Sequence, residues 1–182
     1  QLMEIDGKRG KDKWLPHLLG HEGSGIVIDK HKSVKRFSKG SSVILSWIKG
    51  KGIEAGGTTY FHNQIGNING GPVTTFNEYT IVSENRLSPK PKNLNFKEAI
   101  LFGCAIPTGF GLVLNEAKPK KNSIISVLGL GGIGMSALLA CKCINPKKLI
   151  AIDINNEKLS YVKKFGVEIL LNPQDKDFEY KN

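Results

Sequence analysis

Two groups of residues in this sequence are equipped for chemistry. The first is a histidine–glutamate pair inside Gly20-His21-Glu22-Gly23, with a cysteine far along the chain inside Phe102-Gly103-Cys104-Ala105. A neutral imidazole and a thiolate are both good zinc ligands, and Cys₂His with one open position is a catalytic arrangement. Only two of those three ligands are in hand. On chemistry alone, a turn histidine and a small buried cysteine account for them equally well, and spacing does not decide.

The second group is local and more telling. Ser123 to Leu128 is short, β-branched and almost wholly apolar, as a strand buried on both faces would be. Gly129-Leu130-Gly131-Gly132-Ile133-Gly134 follows at once, then an apolar helical run from Met135 to Ile144 that Asn145-Pro146 stops. A second buried strand, Lys148 to Asp153, ends on an acid. In a dinucleotide site Gly129 makes the tight turn, Gly131 lets backbone approach a pyrophosphate, and Gly134 lets helix and strand pack closely. The phosphates then meet the positive end of the helix. Leu130, Gly132 and Ile133 complete that turn. Asp153 lies 19 residues past Gly134, close to the roughly 20 expected for the acid that grips the adenosine ribose. A carboxylate there repels a 2′-phosphate, so NAD is favoured over NADP.

Around these groups the chain alternates in texture. Residues 1–16 read as loop, residues 26–28 as a small strand after a glycine-loosened turn, and residues 42–47 as another strand. Residues 49–72, rich in Gly, Asn and Thr, read as a long loop. Residues 76–82 partly alternate, as a half-buried strand does. After Pro91, Asn95 with Glu98 three positions on predicts a capped helix over residues 96–101. Residues 104–109 break it, and residues 110–117 form a further helical segment. Asn156 is positioned to cap a helix over residues 157–165 with Gly166 as its terminator, and residues 167–171 form a third strand. The expected boundary falls near Cys104, giving a β-rich domain over residues 1–105 and a nucleotide-binding domain over residues 106–182.

Composition narrows the class. Of the 182 residues, 40% are apolar and 23% charged, which suits a soluble globular chain able to bury a core. There is no stretch of 18 apolar residues to span a membrane and no signal peptide at the start. The net charge of +10 raises nucleic acid as a partner. The lysines are scattered, however, and aromatic residues do not interleave with them as a stacking platform requires. A solvated lysine face is the better reading. An odd count of three cysteines argues against a disulfide framework and for the reducing cytoplasm.

Taken together, Gly-His21-Glu22-Gly-x-Gly, Gly-Cys104-x-x-x-Thr108-Gly, the glycine turn, and Asp153 with Lys158 resemble the zinc-dependent alcohol dehydrogenases of the medium-chain dehydrogenase/reductase superfamily. The resemblance covers nearly the whole chain, in order, and Asn172-Pro173-Gln174-Asp175 is similar to liver-type members. It implies an α/β chain: a GroES-like catalytic domain, then the first half of a Rossmann doubly wound parallel sheet. It further implies hydride transfer between an alcohol, or its aldehyde or ketone, and NAD. His21 and Cys104 match two catalytic zinc ligands, and Glu22 matches the acid behind the metal. Thr108 matches a residue beside the nicotinamide, and Lys158 one that supports the ribose with Asp153. Trp47 falls where the family lines its substrate cleft, the alternative being a core tryptophan. A homo-oligomer, dimer or tetramer, is implied at full length.

Three departures qualify this. The family's first zinc ligand, a Cys with a nearby Ser or Thr, would precede Gln1, so the chain reads as a fragment inactive by itself. Residues 49–72 contain no cysteine, so a structural zinc is not expected beside the catalytic one. Met3 stands where some members have a relay histidine. A zinc-free quinone or enoyl reductase of the same superfamily and a catalytically silent NAD-binding protein remain the competing readings. Cys141 and Cys143, two apart on a helix, do not face each other and read as small packing residues. His17, His31 and His62 have no assigned role.

Overall fold

In the computed structural model, which describes residues 1–12 and 14–175, the chain divides into two compact units, Gln1–Cys104 and Ala105–Asn182. The first opens with a single helical turn, α1 (Leu2–Ile5), and is otherwise made of short strands. These are β1 (Gly23–Ile26), β2 (Ser42–Leu45), a hairpin of β3 (Thr58–His62) and β4 (Gly66–Gly71), and β5 (Leu87–Pro89). β2 is the centre of an antiparallel sheet in the order β1-β2-β5. Val43, Ile44 and Leu45 are all buried, as a strand covered on both faces must be. Phe37 and Val73 pack with Val43 and Leu45 into the core of this unit.

Four sequence expectations in this unit need correction. Residues 1–16 are not all loop, since Leu2–Ile5 form the helical turn α1. The first strand is not residues 26–28 but Gly23–Ile26; Ile28 lies outside the ladder and is exposed. Gly23 belongs to the strand by pairing with Leu45, and it is glycine because a Cβ there would sit 2.8 Å from the Thr75 side chain. Residues 49–72 are not all loop, since β3 and β4 pair from Thr58 to His62 with a register shift at Thr58/Thr59. The Tyr60 ring lies across Gly70, where a Cβ would meet it at 2.5 Å. That cover makes up for the poor strand propensity of glycine. Residues 76–82 form no strand. Side chains hold that segment instead: the Ile81 N–H donates to Tyr60 Oη (2.9 Å), and Thr58 Oγ1 donates to the Ile81 carbonyl (3.2 Å).

Near the end of the unit, α2 (Phe96–Ala99) starts on the expected capping box. Asn95 Oδ1 accepts from the Glu98 N–H (2.9 Å), and Glu98 Oε2 accepts from the Asn95 N–H (3.2 Å). The helix then tightens into a 3₁₀ turn over Ile100–Gly103.

The second unit begins with α3 (Ala105–Gly111), which runs on as a π-helix over Leu112–Ala117. Residues 105–109 are therefore helical rather than a break. Pro107 falls in the first turn, where its missing N–H costs nothing. Next come β6 (Ile124–Leu128), α4 (Gly132–Cys143), β7 (Lys148–Ile152), α5 (Asn156–Val162) and β8 (Ile169–Leu171). The strands form one parallel sheet in the order β6-β7-β8, the strand-by-strand progression of one half of a doubly wound fold. Leu138, Ala140, Cys141, Ala151 and Val162 are essentially inaccessible in its core. Cys141 is thus a packing residue, whereas Cys143 is exposed. The cap of α5 is Asn155, not Asn156: its Oδ1 accepts from the Glu157 and Lys158 N–H groups (2.9 and 3.1 Å). Gly166 ends the helical run with φ +73°. No single helix among the described residues is long and apolar enough to cross a membrane.

Candidate functional site

Within the first unit, His21 and Glu22 immediately precede β1, and Cys104 follows the 3₁₀ turn; all three are half-buried. Gly103 is what brings these segments together. A Cβ on it would come 2.5 Å from the Leu45 carbonyl oxygen and 3.1 Å from Glu22 Cα, so only glycine allows the turn to rest on the ends of β1 and β2. Ser46 fastens the same turn: its Oγ donates to the Gly103 carbonyl (2.6 Å) and accepts from the Ile48 N–H (3.1 Å). An imidazole and a thiol therefore stand next to one tight backbone contact. The donor types suit two corners of a zinc site. Among the described residues no three His, Cys, Asp or Glu side chains gather into a group that could hold a metal ion, so a full set needs a donor beyond these.

Trp47 follows β2, is 51% exposed and takes no part in the core cluster of this unit. Its carbonyl accepts from Arg86 Nη1, and the Arg86 guanidinium lies 5.9 Å from its ring centroid. Arg86 was not singled out by its sequence context, yet it is buried and also donates to Glu54 Oε2 (3.1 Å). Lys49 (3.1 Å) and Asn85 (3.3 Å) reach the same Glu54 oxygen. Beside it, Glu84 is buried and accepts from the backbone N–H groups of Lys35, Arg36 and Ile53 at 2.9, 2.7 and 3.0 Å. Two carboxylates thus fasten the segment that follows Trp47.

Those bonds favour the charged forms. Hydrogen bonding from Lys49, with Asn85, Gly56 and Arg86 adding to it, lowers the Glu54 pKa to about 2, from 4.5. The Arg36 N–H, then those of Ile53 and Lys35, hold Glu84 below its usual value. Both folded pKa values are depressed, so their contribution to stability is complete above the unfolded value of 4.5 and drains away as pH falls below it, toward about 2 for Glu54. The Trp47 emission should therefore shift between pH 4.5 and 2, read in a Trp14→Phe background, and Glu54→Gln should flatten that transition.

An apolar cavity of about 980 Å³ opens beside β1, lined by Ile26, Phe37, Tyr60, Ile81 and Phe96 among others. His21, Glu22, Trp47 and Cys104 do not line it.

In the second unit the glycine turn has the form its spacing predicts. Gly129 takes φ +82°. Gly131 is the N-cap of α4 and brings no side chain, leaving the first N–H groups of the helix without intrahelical partners. Gly131 has nothing within 4 Å of where a Cβ would be, whereas at Gly134 a Cβ would lie 1.8 Å from the Gly129 carbonyl oxygen. Gly134→Ala should accordingly cost about 3 kcal/mol of stability by overpacking, measured as a lowered urea midpoint; an unchanged midpoint would mean that the turn relaxes freely.

Asp153 closes the turn from the end of β7. Its Oδ2 accepts from the Leu130 N–H (2.5 Å) and its Oδ1 from the Asn155 N–H (2.8 Å), while Lys158 Nζ stands 3.9 Å from Oδ2. These contacts, that from Leu130 above all, hold the carboxyl below its usual pKa. The carboxylate is 9% exposed and keeps lone pairs for two hydroxyl donors. Gly132 and Ile133 are exposed at the start of α4, Leu130 is buried, and Thr108 is exposed on α3. At Gly109 a Cβ would meet the Ile133 carbonyl oxygen at 2.5 Å, so α3 and α4 cross closely there.

Comparison with known proteins fits this geometry. Residues 2–92 match the alcohol dehydrogenase GroES-like domain. S-(hydroxymethyl)glutathione dehydrogenase of Saccharomyces cerevisiae is 32% identical over 186 aligned positions, covering 88% of this chain and 48% of the relative. Among solved structures, benzyl alcohol dehydrogenase from Acinetobacter calcoaceticus superposes with a TM-score of 0.78 at 28% identity, over 97% of this chain and 53% of that one. The apo zinc-dependent alcohol dehydrogenase 2 from Streptococcus pneumonia gives 0.75 at 25% identity, over 96% and 50%. The chain spans about half the length of these relatives.

Proposed function

This chain belongs to the alcohol dehydrogenase family with a GroES-like domain, and from that premise we propose that the full-length protein transfers a hydride between an alcohol, or its carbonyl product, and NAD, using one zinc ion. The observation that carries the reading is the glycine turn closed by the Asp153 carboxylate through the Leu130 N–H, in a chain whose other unit matches that family.

In this reading the two units divide the labour. His21 and Cys104 would hold the zinc together with a donor outside these residues, and Glu22, next to His21, would tune its coordination. Zinc, when bound, polarises the substrate oxygen and eases loss of the alcohol proton. Ser46 keeps the Cys104 turn in place through the Gly103 carbonyl. Trp47, anchored by Arg86, offers an exposed ring as one wall for the substrate. The N–H groups that open α4 receive the pyrophosphate. Asp153, kept ionised, accepts from the adenosine ribose hydroxyls and repels a 2′-phosphate. Thr108, exposed on α3, would meet the nicotinamide. Most of the rate then comes from orienting two reactants already in hand. A homo-oligomer and the cytoplasm complete the proposal, the latter in keeping with three free cysteines.

The test is NADH formation by the full-length protein from a panel of primary, aromatic and secondary alcohols, before and after zinc chelation. Alcohol-dependent NADH that disappears on chelation and returns with zinc is the expected result. Quinone- or enoyl-dependent turnover that survives chelation would select the zinc-free reductase reading instead.

A further inference from the structure

Asp153 can choose between cofactors only if its carboxylate points the right way, and its two oxygens are held by different kinds of support. Oδ2 rests on the Leu130 N–H of the glycine turn. Oδ1 rests on the Asn155 N–H, two residues along the chain, so its direction depends on the backbone of residues 154–156. That backbone is braced from the neighbouring strand. The Asp153 N–H donates to the Leu171 carbonyl (3.2 Å). The next residue, Asn172, is 7% exposed and sends its amide into the turn. Its Nδ2 donates to the Ile154 carbonyl (3.3 Å) and to Asn156 Oδ1 (2.8 Å). Its Oδ1 accepts from the Gln174 N–H (2.9 Å), which fixes the amide itself.

We propose that Asn172 is a positioning residue for cofactor choice: it sets the Ile154–Asn156 turn so that the Asn155 N–H locks the Asp153 carboxylate in the orientation that accepts a ribose 2′-hydroxyl. This rests on the NAD reading above. A purely structural role is the competing account, since a buried amide with all its bonds made also stabilises the fold. The two roles separate in the cofactor ratio. Lost packing weakens both cofactors alike, whereas a misdirected carboxylate weakens NAD and leaves NADP, which never used it, unchanged.

The experiment measures dissociation constants of NAD and NADP for the full-length protein and its Asn172→Leu, Asn156→Ala and Asp153→Asn variants. Asn172→Leu should raise the NAD constant by about tenfold while the NADP constant stays within roughly twofold, the scale of one lost hydrogen bond. Asn156→Ala, an exposed residue whose change leaves the core intact, should move the ratio the same way by roughly threefold, and it serves as the test should Asn172→Leu fail to fold. The proposal is overturned if Asp153→Asn collapses the preference for NAD while neither asparagine change shifts it. If Asp153→Asn leaves NAD affinity unchanged, the assignment of Asp153 to the ribose is at fault; if the parent binds neither cofactor, the dinucleotide reading itself is.

Discussion

Exchanging Cys104 for serine in the full-length protein should empty the zinc site and lower kcat/KM for alcohols by roughly 10³-fold or more, since polarisation of the reacting oxygen is worth several kcal/mol. A serine hydroxyl is a poor zinc ligand, and the change is otherwise nearly isosteric. Because Gly103 and Ser46 hold the turn, the variant should stay folded with a thermal midpoint within a few degrees of the parent. Zinc content per chain and the circular dichroism melt separate the two effects. A folded variant that keeps both its zinc and its turnover would exclude Cys104 as a ligand. A variant that loses zinc only because it unfolds would instead identify Cys104 as a packing residue.

The second large effect belongs to Asp153. Asp153→Asn keeps one oxygen for the Leu130 or the Asn155 N–H, turns its NH₂ toward the other, and removes the charge, so it loosens the turn less than alanine does. NAD affinity should drop by about 10- to 100-fold, the scale of a charge-assisted hydrogen bond pair, while NADP binding stays level or improves. Asp153→Ala goes further. It leaves the N–H of buried Leu130 without its partner, which should cost about 1–3 kcal/mol of stability as well. The carboxyl is held below its usual pKa by that same bond, so its stabilising effect is present above about pH 4 and fades as pH falls below it. Titrating NAD affinity downward from neutrality checks this: affinity should hold through the ordinary carboxylate range near about pH 4 and fall only below it. Identical NAD constants for Asp153→Asn and the parent would dismiss the ribose assignment.

What the sequence revealed tracks how local each structural cause is. The second unit was readable because its strands, glycine turn and caps are written in contiguous residues. Ser123–Leu128 is legible as a strand but not as a buried one, since Ile124 and Leu128 are exposed and only Val127 is buried; Gly129 and Gly134 stand where a positive φ and a close approach demand glycine. Even there the cap of α5 slipped by one residue, because Asn156 is used by Asn172 across the sheet and nothing nearby in sequence announces that. In the first unit the causes are distant. Gly70 belongs to a strand only because Tyr60 covers it, and residues 76–82 alternate like a strand yet have side chains as partners. Ser46 and Arg86 carried no motif; each matters through a carbonyl it reaches, Gly103 in one case and Trp47 in the other. The pairing of His21 with Cys104 was undecidable on residue chemistry alone. It rests on resemblance, and the family match over residues 2–92 takes in His21 and Glu22 but stops short of Cys104.

The most direct measurement is zinc-edge X-ray absorption on the purified full-length protein and its Cys104→Ser and His21→Ala variants. The account predicts one zinc per chain in a mixed shell, with sulfur at about 2.3 Å and nitrogen at about 2.0 Å. It also predicts a sulfur contribution that falls in the first variant and a nitrogen contribution that falls in the second. A protein that oxidises alcohols with no zinc bound, or whose zinc shell is untouched by both changes, would contradict it.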